Sequence, residues 1–125
     1  MSLAENKQTV VAFYTRAFND RDPAGAVAAH AGPTYIQHNP AAPDGTDGFI
    51  AFATSFLETY PGLRIDVLRT IAEGDMVVTH SRMSIPGAPD TAIFDLWRLE
   101  NGKVIEHWDT IQPVPDTAAN DNTMF

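Results

Sequence analysis

The sequence predicts an α+β domain in which N-terminal helices pack on one face of an antiparallel sheet. Three observations carry this. Before residue 61 the apolar residues recur at spacings of three and four, the mark of helices. After it they alternate, the mark of half-buried strands. Asn101–Gly102, in "ENGK", separates two alternating runs, the strongest short hairpin signal a sequence offers. Helices followed by strands, rather than interleaved with them, give α+β. With 125 residues the chain has one-domain length, 1–125, and can bury a core.

Each element follows from local chemistry. Val10, Phe13, Tyr14, Ala17 and Phe18 form one helical stripe, which "NDRDPAG" interrupts. Asp22 before Pro23 starts a second, short helix, "PAGAVAAH", because proline tolerates the first helical position. A short strand is expected around Tyr35 to His38, inside a segment kept irregular by Pro40, Pro43 and Gly45. Thr46 is expected to cap a third helix in which Phe49, Phe52, Phe56 and Tyr60 share a face, and "PG" at 61–62 ends it. Four strands follow, in pairs around "AEGD" and "ENGK". The tail, residues 115–125, is polar and expected to be extended or loosely packed.

Composition narrows the function. Lys plus Arg number 8 against 16 Asp plus Glu, a formal charge of −8. Such a surface repels phosphate backbones and acidic bilayers, so neither nucleic acid nor a membrane is expected as partner. The chain has no cysteine, which removes disulfides, thiolate metal sites and thiol nucleophiles. The N-terminus lacks a basic region followed by an apolar core, and no apolar run approaches the ~18 residues that span a bilayer. The expected location is cytoplasmic. No glycine-rich phosphate cradle and no Ser-His-Asp set is present, so no cofactor is expected.

Strand alternation sorts the second half into two faces. His107, Asp109 and Ile111 point one way, and Val104, Glu106 and Trp108 the other. In the preceding strand Asp95 and Trp97 share a face, opposite Phe94, Leu96 and Arg98. Three modest helices cover one sheet face only. The face carrying Leu96 and Trp108 therefore needs another cover, and a second copy in a homodimer is the economical one.

The segments "FYTRAFNDRDPAGAVAAH", "YIQHNP" and "FDLWRLENGKVIEHWDTIQPVP" give the chain a clear resemblance to the SnoaL-like polyketide cyclases. These belong to the nuclear-transport-factor-2-like (cystatin-like) folds, which also include the ketosteroid isomerases. The resemblance spans essentially the whole chain. It implies a cone-shaped, strongly curved antiparallel or mixed sheet wrapped on the N-terminal helices around an apolar cavity, with a homodimer through the outer sheet face. By resemblance to the isomerases, Asp95 stands where they hold a protonated acid that donates to an oxyanion, and Tyr14 where they hold its tyrosine partner. Where they hold their base, this chain has His38 and Asn39. In the SnoaL-like cyclases the acid/base aspartate also falls at Asp95. Their histidine-bearing loop has no counterpart in "IPGAPDTA".

The residues themselves carry the same reading. A carboxyl between Phe94 and Leu96 is buried, and an unpaired buried carboxyl has a raised pKa, suited to acid/base work. The bland alternative is an ion pair of Asp95 with Arg82 or Arg98. His107 and Asp109 face the Asp95 side if the hairpin pairs its strands directly, and they complete the catalytic candidates. Their alternative is a histidine with one hydrogen bond and an aspartate at the rim. Tyr14, His38 at the cavity mouth, His80 from the neighbouring strand, and Trp97 beside Asp95 form the candidate substrate-binding set. His30 reads as structural, a cation suited to a helix C-terminus. His107-x-Asp109 also matches part of an iron(II) triad, but no histidine follows to complete it, so no metal is expected.

The expected function is cofactor-free acid/base chemistry next to a carbonyl, an aldol-type cyclisation or an isomerisation, on a small apolar carbonyl compound. One alternative is a non-catalytic binding protein for an apolar molecule, or an assembly module. A weaker one is epoxide hydrolysis by a set approximated by Asp95, Arg82 and Asp109.

Overall fold

The structure, a computed structural model, describes residues 1–125. Helix α1 (Leu3–Tyr14) starts at a capping box. Ser2 accepts the Glu5 N–H at 3.1 Å, and Glu5 accepts the Ser2 N–H at 2.9 Å. The helix runs on into a π-helical turn, Thr15–Asn19. That wide turn keeps Ala17 and Phe18 in the core and delivers Asn19 to the sheet. Asn19 donates to the Ile65 carbonyl at 2.7 Å and accepts the Ile65 N–H at 2.8 Å, pairing with it as a strand residue does.

Helix α2 (Pro23–His30) is capped by Asp22, whose carboxylate accepts the Gly25 N–H at 2.9 Å. His30 does end this helix, but it is not favoured as a cation there. Partial burial, then the charges of Lys103 and Arg16, push its pKa down.

Strand β1 is longer than expected at its start and stops before His38, covering Ala31–Gln37. Helix α3 (Gly45–Thr59) begins at Asp44, not at Thr46. Its core stripe is Phe49, Ala53 and Leu57, at helical spacings of four. Phe52, Phe56 and Tyr60 instead form an aromatic ladder on its flank, with ring centroids 5.7 and 5.1 Å apart.

Strands β2 (Arg64–Glu73), β3 (Met76–Ser84), β4 (Thr91–Glu100) and β5 (Lys103–Pro113) make the expected two hairpins. In the second, Asn101 and Gly102 both take positive φ (52° and 74°), the conformation a two-residue hairpin loop requires. The sheet is open, curved and mixed, in the order β1-β5-β4-β3-β2. All neighbours are antiparallel except β1, which runs parallel to β5 with Gln37 opposite His107. Because the chain reaches that edge before it builds the sheet, β1 closes the sheet only when β5 arrives.

The helices cover the inner face, and the core runs between them and the sheet. Phe13 sits at its centre, 5.0 Å from the Phe49 ring and 5.8 Å from Trp97. One face assignment is overturned. Val104, expected on the outer face, is fully buried in the core. A β-bulge explains it. Leu99 pairs with Val104 but Arg98 with Glu106, so Ile105 is an extra residue and the alternation restarts there.

The tail also departs from the expectation. It is exposed along most of its length, but it folds back over the outer face and is anchored by its last two residues. The Met124 carbonyl accepts from His80 Nε2 at 2.9 Å, and the Arg82 guanidinium lies 4.2 Å from the Phe125 ring centre. Part of the outer face is thus covered by the chain itself. No helix is long and apolar enough to cross a membrane.

Helix α3 depends on one close approach. A Cβ at Gly48 would stand 2.5 Å from the Pro43 carbonyl oxygen, and backbone cannot swing aside as a side-chain tip can. In an open helix Gly→Ala stabilises by up to about 1 kcal/mol. Here the sign reverses: Gly48→Ala is expected to cost about 1–3 kcal/mol through overpacking. Urea denaturation checks this, and a stabilised variant would refute the close approach.

Candidate functional site

The inner face of β3, β4 and β5 carries one polar cluster inside an otherwise apolar core. Register places it: Asp95 lies opposite Thr79 on one side and Asp109 on the other, and Trp97 opposite Val77 and His107. Asp95 and Trp97 are 2 % and 1 % exposed. Each oxygen of Asp95 has a partner. Oδ1 meets His107 Nε2 at 2.8 Å, and Oδ2 accepts the Thr79 hydroxyl at 3.2 Å. Thr79 is itself oriented by the Trp97 indole N–H, which donates to it at 3.0 Å. The Trp97 and His107 rings are 4.3 Å apart.

Beyond His107 the cluster reaches β1 and the loop after it. His107 Nδ1 contacts Gln37 Oε1 at 2.8 Å. Asp109 Oδ2 lies 3.9 Å from His107 Nε2 and, with Oδ1, takes the Asn39 side-chain N–H groups at 2.9 and 3.0 Å. The Asn39 amide is held in that sense because its oxygen accepts the Ala41 N–H at 2.8 Å. Asp109 is the acidic member nearest solvent, with its side chain 11 % exposed against 1 % for Asp95.

Burial is the main force on these groups. It raises the Asp95 carboxyl above its ordinary value, and the His107 hydrogen bond and charge oppose this without cancelling it. Burial, then the neighbouring Asp95 charge, drives the Tyr14 phenol well above its usual range. The same two causes raise Tyr35. Tyr14 packs edge-on against Trp97, 5.2 Å between ring centres, so its hydroxyl stays protonated beside the carboxyl. A buried acid, an imidazole touching it and two un-ionised phenols can donate, accept and return a proton.

Of the expected site residues, Asp95, His107, Asp109, Tyr14 and Trp97 come together, and two do not. His38 was expected at the cavity mouth. Alternation along β1 turns Tyr35 and Gln37 inward and sends His38 out, where it stacks on Trp108 at 4.5 Å and meets Glu106 at 2.8 Å. That contact holds the Glu106 carboxyl below its usual value. His80 was expected to face the cavity from β3, but there Val77, Thr79, Ser81 and Met83 are the inward residues. His80 lies on the outer face, stacked on Phe94 at 4.3 Å, with Nδ1 against the Arg69 guanidinium.

The ion pairs considered for Asp95 are absent too. Arg98 binds Glu106 at 2.7 Å, and Arg82 stands 3.6 Å from Asp90 on the outer face. This also removes the Asp95–Arg82–Asp109 set required for epoxide hydrolysis. Gln37 and Asn39 are the functional candidates that sequence reasoning missed. Their signal was parity with Tyr35.

The apolar cavity implied by the resemblance is not seen at this cluster. Tyr14, Phe18, Phe49 and Trp97 fill the adjoining core. A concavity of about 810 Å³ lies instead between the tail and the sheet end, with Arg82, Asp90, Gln112 and Phe125 in its wall. Asp95, His107 and Asp109 do bring one ligand-type atom each to within 4.8 Å of one another. In this arrangement His107 Nε2 faces Asp95 and both Asp109 oxygens accept from the Asn39 amide.

A raised carboxyl pKa has a defined effect on stability. Its contribution is fully present below the ordinary carboxylate value and is lost as pH rises through the folded-state value. An asparagine at 95 keeps both contacts without that loss. Asp95→Asn is therefore expected to gain melting temperature relative to wild type as pH rises from 5 to 8, roughly 4 °C for each kcal/mol. His107→Ala, which strands a buried acid, is expected to cost about 3–5 kcal/mol. Thermal melts across pH check both; a pH-independent gap for Asp95→Asn would refute the buried acid.

Comparison with known proteins bears on this geometry. No curated protein matches the sequence. Among solved structures the chain is similar to TsrD from Streptomyces laurentii, at 24% identity over 89% of this chain and 90% of that one, with a TM-score of 0.74. It is similar to AclR from Streptomyces galilaeus, a protein named as a hydroxylase, at 22% identity, 89% and 91% coverage and a TM-score of 0.73. A protein from Jannaschia sp. CCS1 named as a SnoaL-like polyketide cyclase gives 24%, 86% and 85%, and 0.71. These likenesses show the nuclear-transport-factor-2-like fold. The SnoaL-like domain model matches residues 10–107, a span that runs from the buried Val10 of α1 to the imidazole at the centre of the cluster. The chain belongs to the SnoaL-like domain family.

Proposed function

We propose that the protein catalyses proton transfer next to a carbonyl group, in the manner of a polyketide cyclase-like enzyme. The 2.8 Å contact of Asp95 with His107, buried beneath the aromatic core, carries this reading. A carbonyl oxygen set against this pair takes a proton from Asp95 as it becomes an enol. Asp109, on the solvent side, takes the proton from the α-carbon. The enol carbon then attacks a second carbonyl in a cyclisation, or is reprotonated in an isomerisation. The enol O–H proton returns to Asp95 through His107 Nε2, and the proton held by Asp109 goes to the new alkoxide in the cyclisation or to the carbon in the isomerisation, so the site ends as it began. Tyr14 and Trp97 form the wall that keeps water from the enol. The substrate class is a small, largely apolar compound with at least one acidified C–H, such as a β-dicarbonyl.

The closed interior favours one second reading, a binding or assembly module in which the cluster only holds strands together. Solvent-deuterium exchange at the α-carbon of β-diketones and β-keto esters, followed by NMR, separates the two. Acceleration by wild type is expected, with Asp95→Asn and His107→Ala each slower by about 10²–10⁴-fold. No acceleration over a panel of such compounds would favour the module.

The homodimer is proposed on the same face as before. Phe94, 54 % exposed, continues the Leu96–Trp108 pair across the outer sheet. Sedimentation should give a dimer that Trp108→Glu or Phe94→Glu dissociates; a monomeric wild type would count against it.

A further inference from the structure

We infer that Gln37 is a positioning residue that holds His107 in the Nδ1–H tautomer, so that the Asp95–His107 contact carries one proton and only one.

A backbone N–H has no acceptor capacity. The Asn39 N–H points at Gln37 Oε1, 3.1 Å away, so that atom is the amide oxygen and not its nitrogen. The other end agrees, since Gln37 Nε2 faces the Tyr35 hydroxyl at 3.4 Å. The glutamine's backbone is held as well. Its N–H donates to Asp44 at 2.8 Å, and the next residue's N–H donates to the His107 carbonyl at 2.9 Å. The amide therefore has one orientation, and its oxygen can only accept.

His107 Nδ1 meets that oxygen at 2.8 Å, so Nδ1 must carry a hydrogen. The opposite nitrogen then has two permitted states against Asp95 Oδ1. Either Nε2 is bare and accepts a proton from a neutral Asp95, or Nε2 is protonated and donates to an ionised Asp95. Both states hold the same number of protons and differ only in which atom the shared proton sits on. A bare Nε2 facing an ionised carboxylate would set two lone pairs against each other in a buried site. An Nδ1-bare imidazole would do the same against Gln37.

The consequence is chemical. Gln37 touches no reacting atom, yet it decides that the proton-carrying nitrogen is the one facing Asp95. An imidazole in the wrong tautomer cannot perform this relay; in serine proteases that error costs about 10⁴ in kcat. The inference rests on the acid–base reading above for its catalytic meaning, but its structural content stands apart from any substrate.

The test uses both levels. Long-range ¹H–¹⁵N correlation on ¹⁵N-labelled full-length protein reads the two His107 nitrogens directly. Wild type at neutral pH is expected to show a protonated Nδ1, and Gln37→Leu a loss of that signature. Gln37→Glu places a charged acceptor at Nδ1 and is expected to move the limb of any pH–rate profile due to the pair toward higher pH. Gln37→Leu is expected to lower exchange activity by about 10–100-fold, the usual cost of losing such a supporting contact. A wild-type Nε2–H tautomer with a bare Nδ1 would overturn the inference, as would unchanged nitrogen shifts in Gln37→Leu. The wild-type spectrum decides even if a variant does not fold. The stated tautomer in a protein without exchange activity would sink the enzymatic reading and leave the positioning role intact.

Discussion

Burying one carboxyl group at the centre of a sheet face constrains most of what surrounds it. Asp95 is held in an apolar core, where an unpartnered carboxyl would cost several kcal/mol. The fold answers by giving each oxygen a partner, and each partner a partner of its own. Thr79 is turned by Trp97, and His107 is turned by Gln37. The chain of satisfied groups ends only at the surface, where Asn39 and Asp44 meet backbone and solvent. A network so completed specifies one arrangement of strands, because a half-satisfied version would be worse than none.

This gives the parallel edge strand a reason. In a sheet of hairpins, β1 is the one element that arrives from elsewhere in the chain and runs with its neighbour rather than against it. Its position beside β5 places Gln37 opposite His107 and lets the following loop carry Asn39 to Asp109. The edge strand thus closes the sheet and the polar cluster in the same step. The core aromatics do the corresponding work from the helix side. Phe13, Tyr14 and Phe18 come from one continuous helix whose final π turn keeps its stripe on the sheet and ties Asn19 to Ile65.

The two sheet faces carry separate polar systems with different physics. Inside, hydrogen bonds are few, short of water and tightly coupled. Outside, Glu106 bridges His38 and Arg98, and His80 lies between Phe94 and the returning tail. Those outer contacts are partly solvated and individually weak. They organise a surface, whereas the inner ones set the protonation of a site. The same residue type therefore plays opposite parts, as His107 and His80 show, according to one step of strand parity.

Much of this was legible in the chain. Helical spacing, the Asp22–Pro23 start and the Asn101–Gly102 turn are local signals, settled within a few residues, and they determine the class, the order of elements and the inward face of β4. Asp95 and Trp97 followed from alternation along β4, but the two-residue loop alone would set His107 opposite Leu96, and it is the extra residue at Ile105 that brings His107 and Asp109 to the Asp95 side. What escaped is non-local. The bulge at Ile105 reverses Val104, and no local pattern announces it. The orientation of β3 and β1, hence the outward turn of His80 and His38 and the inward turn of Gln37, depends on which face the helices cover. The filling of the interior by Phe18 and Phe49 and the return of Phe125 to the outer face likewise depend on contacts between residues far apart in the chain. The sequence by itself determined what lies beside what along each element. Only the tertiary structure decided which side of each element faces the core, because that choice is made by packing between distant segments and not by any of them alone.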